Sequence, residues 1–134
     1  MYIDDCLFYL INGSAKRASR FWKAAVSRFA VTGTQAITLI ALMERDKQTA
    51  AELMERCNLD SATLSGLLDR LERDGFVLRE KNASDGRSIL VCLTDRGRTI
   101  GAGLTEAMVA ANDELASRFS AEELIQLKAL LQKI

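Results

Sequence analysis

The chain has 134 residues, 49% of them hydrophobic and 27% charged, and its 18 basic side chains balance 18 acidic ones. This is the composition of a folded globular domain rather than of a disordered chain. No long uncharged apolar run and no secretory leader is present, so we expect a cytoplasmic protein that does not enter a membrane. Histidine and proline are absent, which excludes imidazole catalysis and histidine metal ligands and favours long helices.

The cysteines predict neither a disulfide framework nor a metal site. Cys6, Cys57 and Cys92 are odd in number and far apart, which is typical of reduced thiols in a cytoplasm. No two of them form a CxxC pair, so no zinc site is predicted. Without histidine, a glycine-rich phosphate loop or clustered carboxylates, we expect no enzyme and no cofactor.

The first third of the chain predicts two helices. Over residues 4–29 the apolar side chains recur at helical spacing. Gly33 is expected to break this helix, and Thr34 to cap a second one. The apolar face of the second helix is expected to include Ile37, Ile40 and Leu42 or Met43. The charged run of residues 44–47 is expected to end this helix in solvent.

Two capping signals begin a short helix and a longer one. Thr49-Ala50-Ala51-Glu52 has the pattern of a capping box, in which each side chain bonds the other residue's backbone N–H. A short helix is predicted from there to Cys57. Asp60 is suited to cap the next helix, predicted over residues 61–74. Gly75 supplies the left-handed residue that commonly follows a helix.

After Gly75 the hydrophobic period changes from 3.6 to 2. Residues 76–81 and 89–93 alternate as strands around a polar loop that contains Gly86, so a two-stranded hairpin is predicted. Residues 94–119 predict one helix, and Ser120-Ala121-Glu122-Glu123 is a second capping box before a last, leucine-rich helix. A short helix, a turn, a second helix and then a hairpin is the order of a winged helix-turn-helix.

The outward face of the predicted helix 61–74 has residue types suited to a DNA groove. The inward face is one apolar stripe of Leu64, Leu67, Leu68 and Leu71. The candidate contact residues on the other face are Ser61, Thr63, Ser65, Arg70 and Arg73. Slim polar side chains can enter a major groove and bond phosphates or base edges. The alternative is an ordinary solvated face, with Thr63 half-buried and Arg73 in a surface ion pair.

The hairpin adds a second candidate contact. Arg87 lies near its tip and Asp85 precedes it by two residues, a spacing at which we expect the carboxylate to orient the guanidinium. An oriented arginine on a projecting tip suits a narrow minor groove with its enhanced negative potential. The alternative is a surface ion pair with no further role.

These residues resemble a known family. The segment from Asp85 to Gly97, DGRSILVCLTDRG, matches the DxRxxxVxLTxxG wing signature of the MarR family of bacterial transcriptional regulators. Residues 59–65 and 68–75 look like the recognition helix of that family, and residues 1–46 follow its first two helices. The chain departs from the pattern at Asn82-Ala83-Ser84, where many members carry Asp-Pro. The resemblance covers essentially the whole chain.

The resemblance implies a mainly α fold with a small β-hairpin wing: a winged helix-turn-helix DNA-binding lobe plus a helical dimerisation region. It implies an N-terminal dimerisation helix at residues 1–33, the DNA-binding lobe at 34–98 and C-terminal dimerisation helices at 99–134. The terminal helices are too apolar to stand alone, which agrees with a homodimer. The alternative is a compact helical monomer. The implied function is repression by occupying a pseudo-palindromic operator in double-stranded DNA until a small effector releases the protein.

The resemblance also implies that something is sensed. Relatives often release DNA on binding a small aromatic or phenolic acid, and the candidate residues here are Phe8, Asn12, Arg17, Arg20, Trp22 and Phe29. The alternative is that the aromatic residues are dimer core and the basic ones a solvated face. Cys6 is the redox candidate because a helix N-terminus favours a reactive thiolate, whereas Asp4 and Asp5 beside it oppose one. The peroxide-sensing branch of the family carries its cysteine about two positions later, where this chain has Phe8, and that offset counts against a matching sensor. Cys57 and Cys92 are expected to be buried.

A second class of function stays open. The winged-helix fold also serves as a protein–protein interaction module, and the zero net charge agrees with that alternative. Salt dependence of binding to random duplex DNA separates the two classes, because neutralising phosphates gives a steep negative slope.

Overall fold

Helices account for most of the structure, a computed structural model that describes residues 1–134. In chain order the elements are α1 (Leu7–Val26), α2 (Gly33–Glu44), β1 (Gln48–Thr49), α3 (Ala50–Cys57), α4 (Ser61–Arg73), β2 (Val77–Lys81), β3 (Ile89–Leu93), α5 (Asp95–Ala116) and α6 (Ala121–Leu131). Single turns of 3₁₀ helix precede and follow α1. The predicted fold class, mainly α with a small β wing after α4, is confirmed. The division into residues 1–33, 34–98 and 99–134 stays a prediction.

Local signals begin and end the helices around the wing. Thr49 and Ser120 begin the two predicted capping boxes, and Asp60 caps α4 as predicted. Gly75 follows α4 with a φ of 78°, the left-handed conformation expected of it. Each signal lies within a few residues of the helix end that it controls, so the local sequence was sufficient to place that helix end.

The cap of α2 differs from the prediction. Thr32 rather than Thr34 is the cap, and its hydroxyl accepts from the backbone N–H of Gln35 at 3.1 Å. Gly33 is the first residue of this helix and not a break. The chain reverses earlier, at Ala30, whose φ of 55° is left-handed. The prediction was wrong because glycine is the usual residue for such a reversal, and here alanine adopts it.

The core lies where α2, α4, the wing and α5 meet. The four leucines of α4 are buried there with Leu39, Leu42, Leu53, Val77, Val91 and Leu104. On α2 the prediction is correct for Ile40 and, of its two alternatives, for Leu42, which are both buried; Ile37 is half-buried and Met43 is exposed. Because this core holds the leucine stripe of α4 inward, the other face of α4 is turned to solvent.

The wing is a three-stranded antiparallel sheet in the order β1-β3-β2, with one strand more than the predicted hairpin. Strands β2 and β3 pair along their whole length, with Val77 opposite Leu93. The additional strand consists only of Gln48 and Thr49, which pair with β3. Two residues are too few to show an alternation, and they form a strand only because β3 lies beside them.

The turn after α2 ties the wing to α5. The carboxylate of Asp46 accepts from the backbone N–H of Leu93 at 2.9 Å and forms an ion pair with Arg98. The charged run of residues 44–47 was expected to end α2 in solvent, and for Asp46 that is wrong. Its side chain is only 20% exposed, because β3 and α5 pack against it. Both of these elements follow much later in the chain, so the local sequence did not show the contact.

The terminal helices are far less covered than the core. No residue of α6 is buried, and Val26 is the only buried residue of α1. Large apolar side chains at both ends are exposed, among them Leu7, Phe8, Leu10, Leu130, Leu131 and Ile134. No single helix is both long and apolar enough to cross a membrane; the bent pair of residues 7–29 and 33–44 reaches that length and hydropathy only when the two helices are taken together.

Candidate nucleic-acid interface

Helix α4 exposes the face that the sequence singled out. All five of its candidate contact residues are exposed: Ser61, Thr63, Ser65, Arg70 and Arg73. Gly66 lies among them and is exposed as well. The leucine stripe holds the opposite side in the core. A partner molecule can therefore reach the outward face over the whole length of the helix.

Asp60 organises the first turn of α4. Its carboxylate accepts from the backbone N–H of Thr63 at 2.7 Å and from the hydroxyl of Thr63 at 2.9 Å. These hydrogen bonds, the backbone one foremost, hold the pKa of Asp60 below its usual value. The half-buried alternative for Thr63 is wrong, because its side chain stands in solvent and its hydroxyl serves the cap.

The second half of α4 carries two cations without acidic partners. Neither Arg70 nor Arg73 forms an ion pair, so the surface pair considered for Arg73 is absent. The acidic neighbours Asp69 and Glu72 are instead paired with Arg79 of β2, at 2.9 and 3.4 Å. The two free guanidinium groups are therefore available to an anionic partner.

Sequence reasoning missed Arg79. The available signal was the alternation along β2, which places Arg79 on the same side of the strand as the buried Val77. That side of the wing faces the core to which α4 also belongs. The ion pairs with α4 themselves depend on how the helix packs against the sheet, which no local pattern reports.

The wing tip exposes Arg87, but Asp85 does not hold its guanidinium as predicted. The carboxylate of Asp85 accepts instead from the backbone N–H of Arg87 at 3.0 Å. An aspartate readily folds onto the N–H two residues later, which is nearer than the end of the arginine side chain. Asn82 makes a similar bond to the N–H of Ser84 at 3.1 Å, and its amide donates to the hydroxyl of Ser88 at 3.0 Å. Asp85 therefore shapes the loop, and the guanidinium of Arg87 is free.

The predicted effector residues do not form one pocket within a single chain. Four of them are exposed along α1, namely Phe8, Asn12, Arg17 and Arg20. Trp22 and Phe29 pack against the core, and the indole N–H of Trp22 donates to the carbonyl of Gly33 at 2.9 Å, which agrees with the alternative of a core role. Phe8 and Trp22 are roughly 21 Å apart along the helix axis, at about 1.5 Å per residue. One small acid cannot contact both from the same chain.

Of the three thiols, Cys6 and Cys57 are partly exposed and Cys92 is buried, so the expectation of burial is correct for Cys92 and wrong for Cys57. Cys6 is the N-cap residue of α1. Burial raises the pKa of Cys57, which is half-buried, and burial together with Glu80 raises the pKa of the buried Cys92 to about 11. Both remain protonated thiols at neutral pH. Cys6 stays the candidate for reaction with an oxidant because it is partly exposed at the N-terminus of α1.

Comparison with known proteins identifies the family. The MarR family model matches residues 31–89. The organic hydroperoxide resistance transcriptional regulator of Bacillus subtilis is 31% identical over 133 residues, which are 98% of this chain and 88% of that protein. The chain belongs to the MarR family. The resemblance drawn from the wing signature is thus confirmed. The relative that matches this MarR-family chain over 88% of its own length is named as a transcriptional regulator and not as an enzyme.

Solved MarR-family structures share the architecture. MepR of Staphylococcus aureus, in complex with DNA, has a TM-score of 0.86 to this chain at 27% identity, over 96% of this chain and 95% of that one. A mutant of MarR from Escherichia coli, complexed with operator DNA, has a TM-score of 0.87 at 29% identity, over 95% and 91%. This MarR-family chain therefore has the fold of two regulators seen bound to DNA.

Proposed function

We propose that this regulator is a cytoplasmic homodimer that represses transcription by occupying a pseudo-palindromic operator. Helix α4 of each protomer enters a major groove, and the wing beside it enters the adjacent minor groove. The two copies of α4 lie roughly 34 Å apart, which is one turn of the duplex. MepR and MarR, each more than a quarter identical to this chain and each solved in complex with DNA, support DNA binding by this fold.

The observation that carries the proposal is the placement of free cations on a chain of zero net charge. Arg70 and Arg73 on α4 and Arg87 on the wing are exposed and have no acidic partner. Phosphates attract cations that no acid already neutralises. These three arginines lie on the two elements that a winged helix presents to DNA. Local positive charge therefore attracts the phosphate backbone although the net charge of the chain is zero.

The uncovered terminal helices support a dimer. Phe8 is 81% exposed at one end of the chain and Ile134 80% at the other, and apolar side chains beside both are exposed too. A second copy can cover these surfaces through a two-fold contact in which the terminal helices of both protomers pack together. The same contact holds two lobes at one spacing, which a pseudo-palindromic operator requires.

Release by a small aromatic or phenolic acid is part of the same proposal. The guanidinium of Arg17 or Arg20 can pair with the carboxylate of such an acid, and Phe8 offers an aromatic surface. Because these residues are exposed and spread along α1, the pocket is completed by the partner protomer. An effector bound there alters the spacing of the two lobes and so lowers operator affinity.

Arg87→Ala is expected to weaken operator binding by about 1–3 kcal/mol, or roughly 5- to 150-fold in Kd. The guanidinium is free in the unbound protein, so its loss removes a DNA contact and leaves stability unchanged. We also expect the slope of log Kd against log salt to become shallower by about 0.9. Fluorescence anisotropy with a labelled duplex from upstream of the protein's own gene measures both quantities.

Lys133→Ala is the matched control, because it removes a cation that follows α6 and is outside the lobe. Its Kd should equal that of the wild type. If Arg87→Ala binds as tightly as the wild type at moderate salt, Arg87 is not in the interface. If the wild-type protein shows no salt-dependent binding to any duplex, the protein–protein interaction module becomes the better account.

A second candidate function is thiol-based redox sensing, and the relative named for organic hydroperoxide resistance favours it. In this chain Cys6 would be the sensor. It is partly exposed where α1 begins, beside the apolar surface that the proposal assigns to the dimer. Oxidation of the Cys6 thiolate by a hydroperoxide gives a sulfenic acid and releases the alcohol. A polar sulfenic acid at that position disturbs the packing between protomers.

Cys6→Ser is expected to abolish release from DNA by cumene hydroperoxide, whereas Cys92→Ser is expected to leave it intact. The reason is that burial keeps the pKa of Cys92 at about 11, so this thiol becomes a reactive thiolate only as the pH approaches that value. Anisotropy after peroxide treatment measures release, and mass spectrometry after brief alkylation at pH 8 should find Cys6 modified first. A Cys6→Ser protein that still responds to peroxide would exclude this sensor.

A further inference from the structure

We infer that Arg79, a wing residue outside the predicted contacts, is a positioning residue for DNA binding: it neutralises the acidic edge of α4 and fixes that helix against the wing. The inference rests on the proposed function, because it concerns how α4 is held for DNA. It assigns a role to a side chain that does not itself need to touch the duplex.

The guanidinium of Arg79 joins two elements of the lobe. Its Nη2 lies 2.9 Å from Oδ1 of Asp69, and its Nε lies 3.4 Å from Oε2 of Glu72. The two acids are one turn apart on α4, so a single guanidinium can span both. The side chain of Arg79 is 33% exposed, less than that of any other cation in an ion pair of this protein. Solvent and salt therefore reach this guanidinium less than they reach the other paired cations.

The two acids matter because they lie among the cations offered to DNA. Asp69 precedes Arg73 by four residues, the spacing at which an acid pairs well with a base on the same helix. That pair does not form, because Asp69 is engaged by Arg79. Without Arg79, Asp69 is free to pair with Arg73, and Glu72 adds a negative charge that repels the phosphate backbone. Arg79 thus keeps Arg73 available.

The same contact orients α4 relative to the wing. Arg79 lies opposite Val91 of β3 in the sheet that carries Arg87 at its tip. The buried contacts between α4 and the wing are apolar, and apolar contacts are not directional. An arginine bonded to two carboxylates is directional. DNA contacts by α4 in one groove and by the wing in the next require a fixed orientation of α4 relative to the wing. The bonds from Arg79 to the two carboxylates of α4 fix that orientation.

The test compares Arg79→Gln with the triple variant that also carries Asp69→Asn and Glu72→Gln. On the upstream duplex we expect Arg79→Gln to raise Kd by about 10-fold and to make the salt slope shallower by about 0.9, because Asp69 then pairs with Arg73 and one phosphate contact is lost. The triple variant should recover the wild-type salt slope and return to within about three-fold of the wild-type Kd, since the acids no longer compete for Arg73 and only the orienting contact is still missing. Arg56→Gln, which breaks the ion pair with Glu44 outside α4 and the wing, is the control and should bind as the wild type does.

Three results would overturn the inference: a Kd for Arg79→Gln equal to that of the wild type, a folded triple variant that still binds about as weakly as Arg79→Gln, or a folded triple variant whose salt slope stays shallower by about 0.9, which means that Arg79 itself contacts a phosphate. Circular dichroism and urea unfolding check the fold. If Arg79→Gln does not fold, Arg79→Lys replaces it, because lysine keeps the charge but cannot bridge both acids; we expect it to raise Kd by about three-fold. A wild-type protein that binds no duplex overturns the proposed function itself, a result that does not depend on position 79.

Discussion

Leu131→Asp should separate the homodimer into monomers and abolish binding to a duplex with two half-sites. Leu131 is 58% exposed in the single chain, so the substitution leaves the fold of the protomer intact. In the proposed dimer the same position is covered by the partner, and two carboxylates are then buried about the two-fold axis. We expect the dimer dissociation constant to rise by at least roughly 100-fold, or about 3 kcal/mol. Sedimentation equilibrium measures the association, and a gel shift measures operator binding.

Gln126→Asp is the matched control for this variant. It adds the same charge to the same helix at an exposed polar position, and five residues of separation place it on a different face of α6. Its association should equal that of the wild type. Leu7→Asp repeats the test from α1, where the wild-type side chain is 71% exposed. If both Leu131→Asp and Leu7→Asp stay dimeric, the terminal helices do not form the interface.

Gly97→Ala is expected to destabilise the protein by about 3 kcal/mol, at the upper end of the usual effect of overpacking. A Cβ at Gly97 would lie 2.0 Å from the carbonyl oxygen of Phe76, which belongs to the backbone and cannot turn aside. Gly97 also donates its N–H to the hydroxyl of Thr94, which in turn donates to the carbonyl of Gly75 at 2.6 Å. An added methyl group therefore pushes α5 away from the wing. Urea unfolding followed by circular dichroism measures the loss.

Gly66→Ala is the matched control, and its expected effect has the opposite sign. No atom lies within 4 Å of a Cβ built there, and Gly66 is interior to α4. Alanine should therefore stabilise the helix by up to about 1 kcal/mol. Because the position is on the face proposed to enter the major groove, the same variant should bind the operator no better than the wild type. If the two substitutions change the free energy of unfolding equally, the close approach of Gly97 to the carbonyl of Phe76 does not restrict the size of the residue at position 97.

Much of the fold could be predicted because its signals are local. The capping boxes at Thr49 and Ser120 and the cap at Asp60 act over three residues, so they are visible in any short window of sequence. The leucine stripe of α4 and the alternation of β2 and β3 report which side of each element is buried. The exposed candidates on α4 followed directly, since they are the residues that the stripe leaves outside.

The errors arose where two partners are distant in the chain or where two local outcomes compete. Arg79 and Asp46 find their partners on other elements, across a packing that no window of sequence contains. Two donors lie within reach of the Asp85 carboxylate, the backbone N–H and the guanidinium of Arg87. The carboxylate accepts from the backbone N–H because that donor is nearer. Ala30 adopts the left-handed conformation expected of a nearby glycine.

The amino-acid sequence by itself determined the order of the helices and the hairpin, the inward face of α4, the place of an arginine near the wing tip and the membership of the MarR family. These depend on caps, periodicity and a contiguous signature, which are all short-range. Only the tertiary structure decided that Gln48 and Thr49 form a strand, that Arg79 clamps α4, and that the helices at both ends lack cover within one chain. These features come from long-range packing, in which the position of one element depends on all the others.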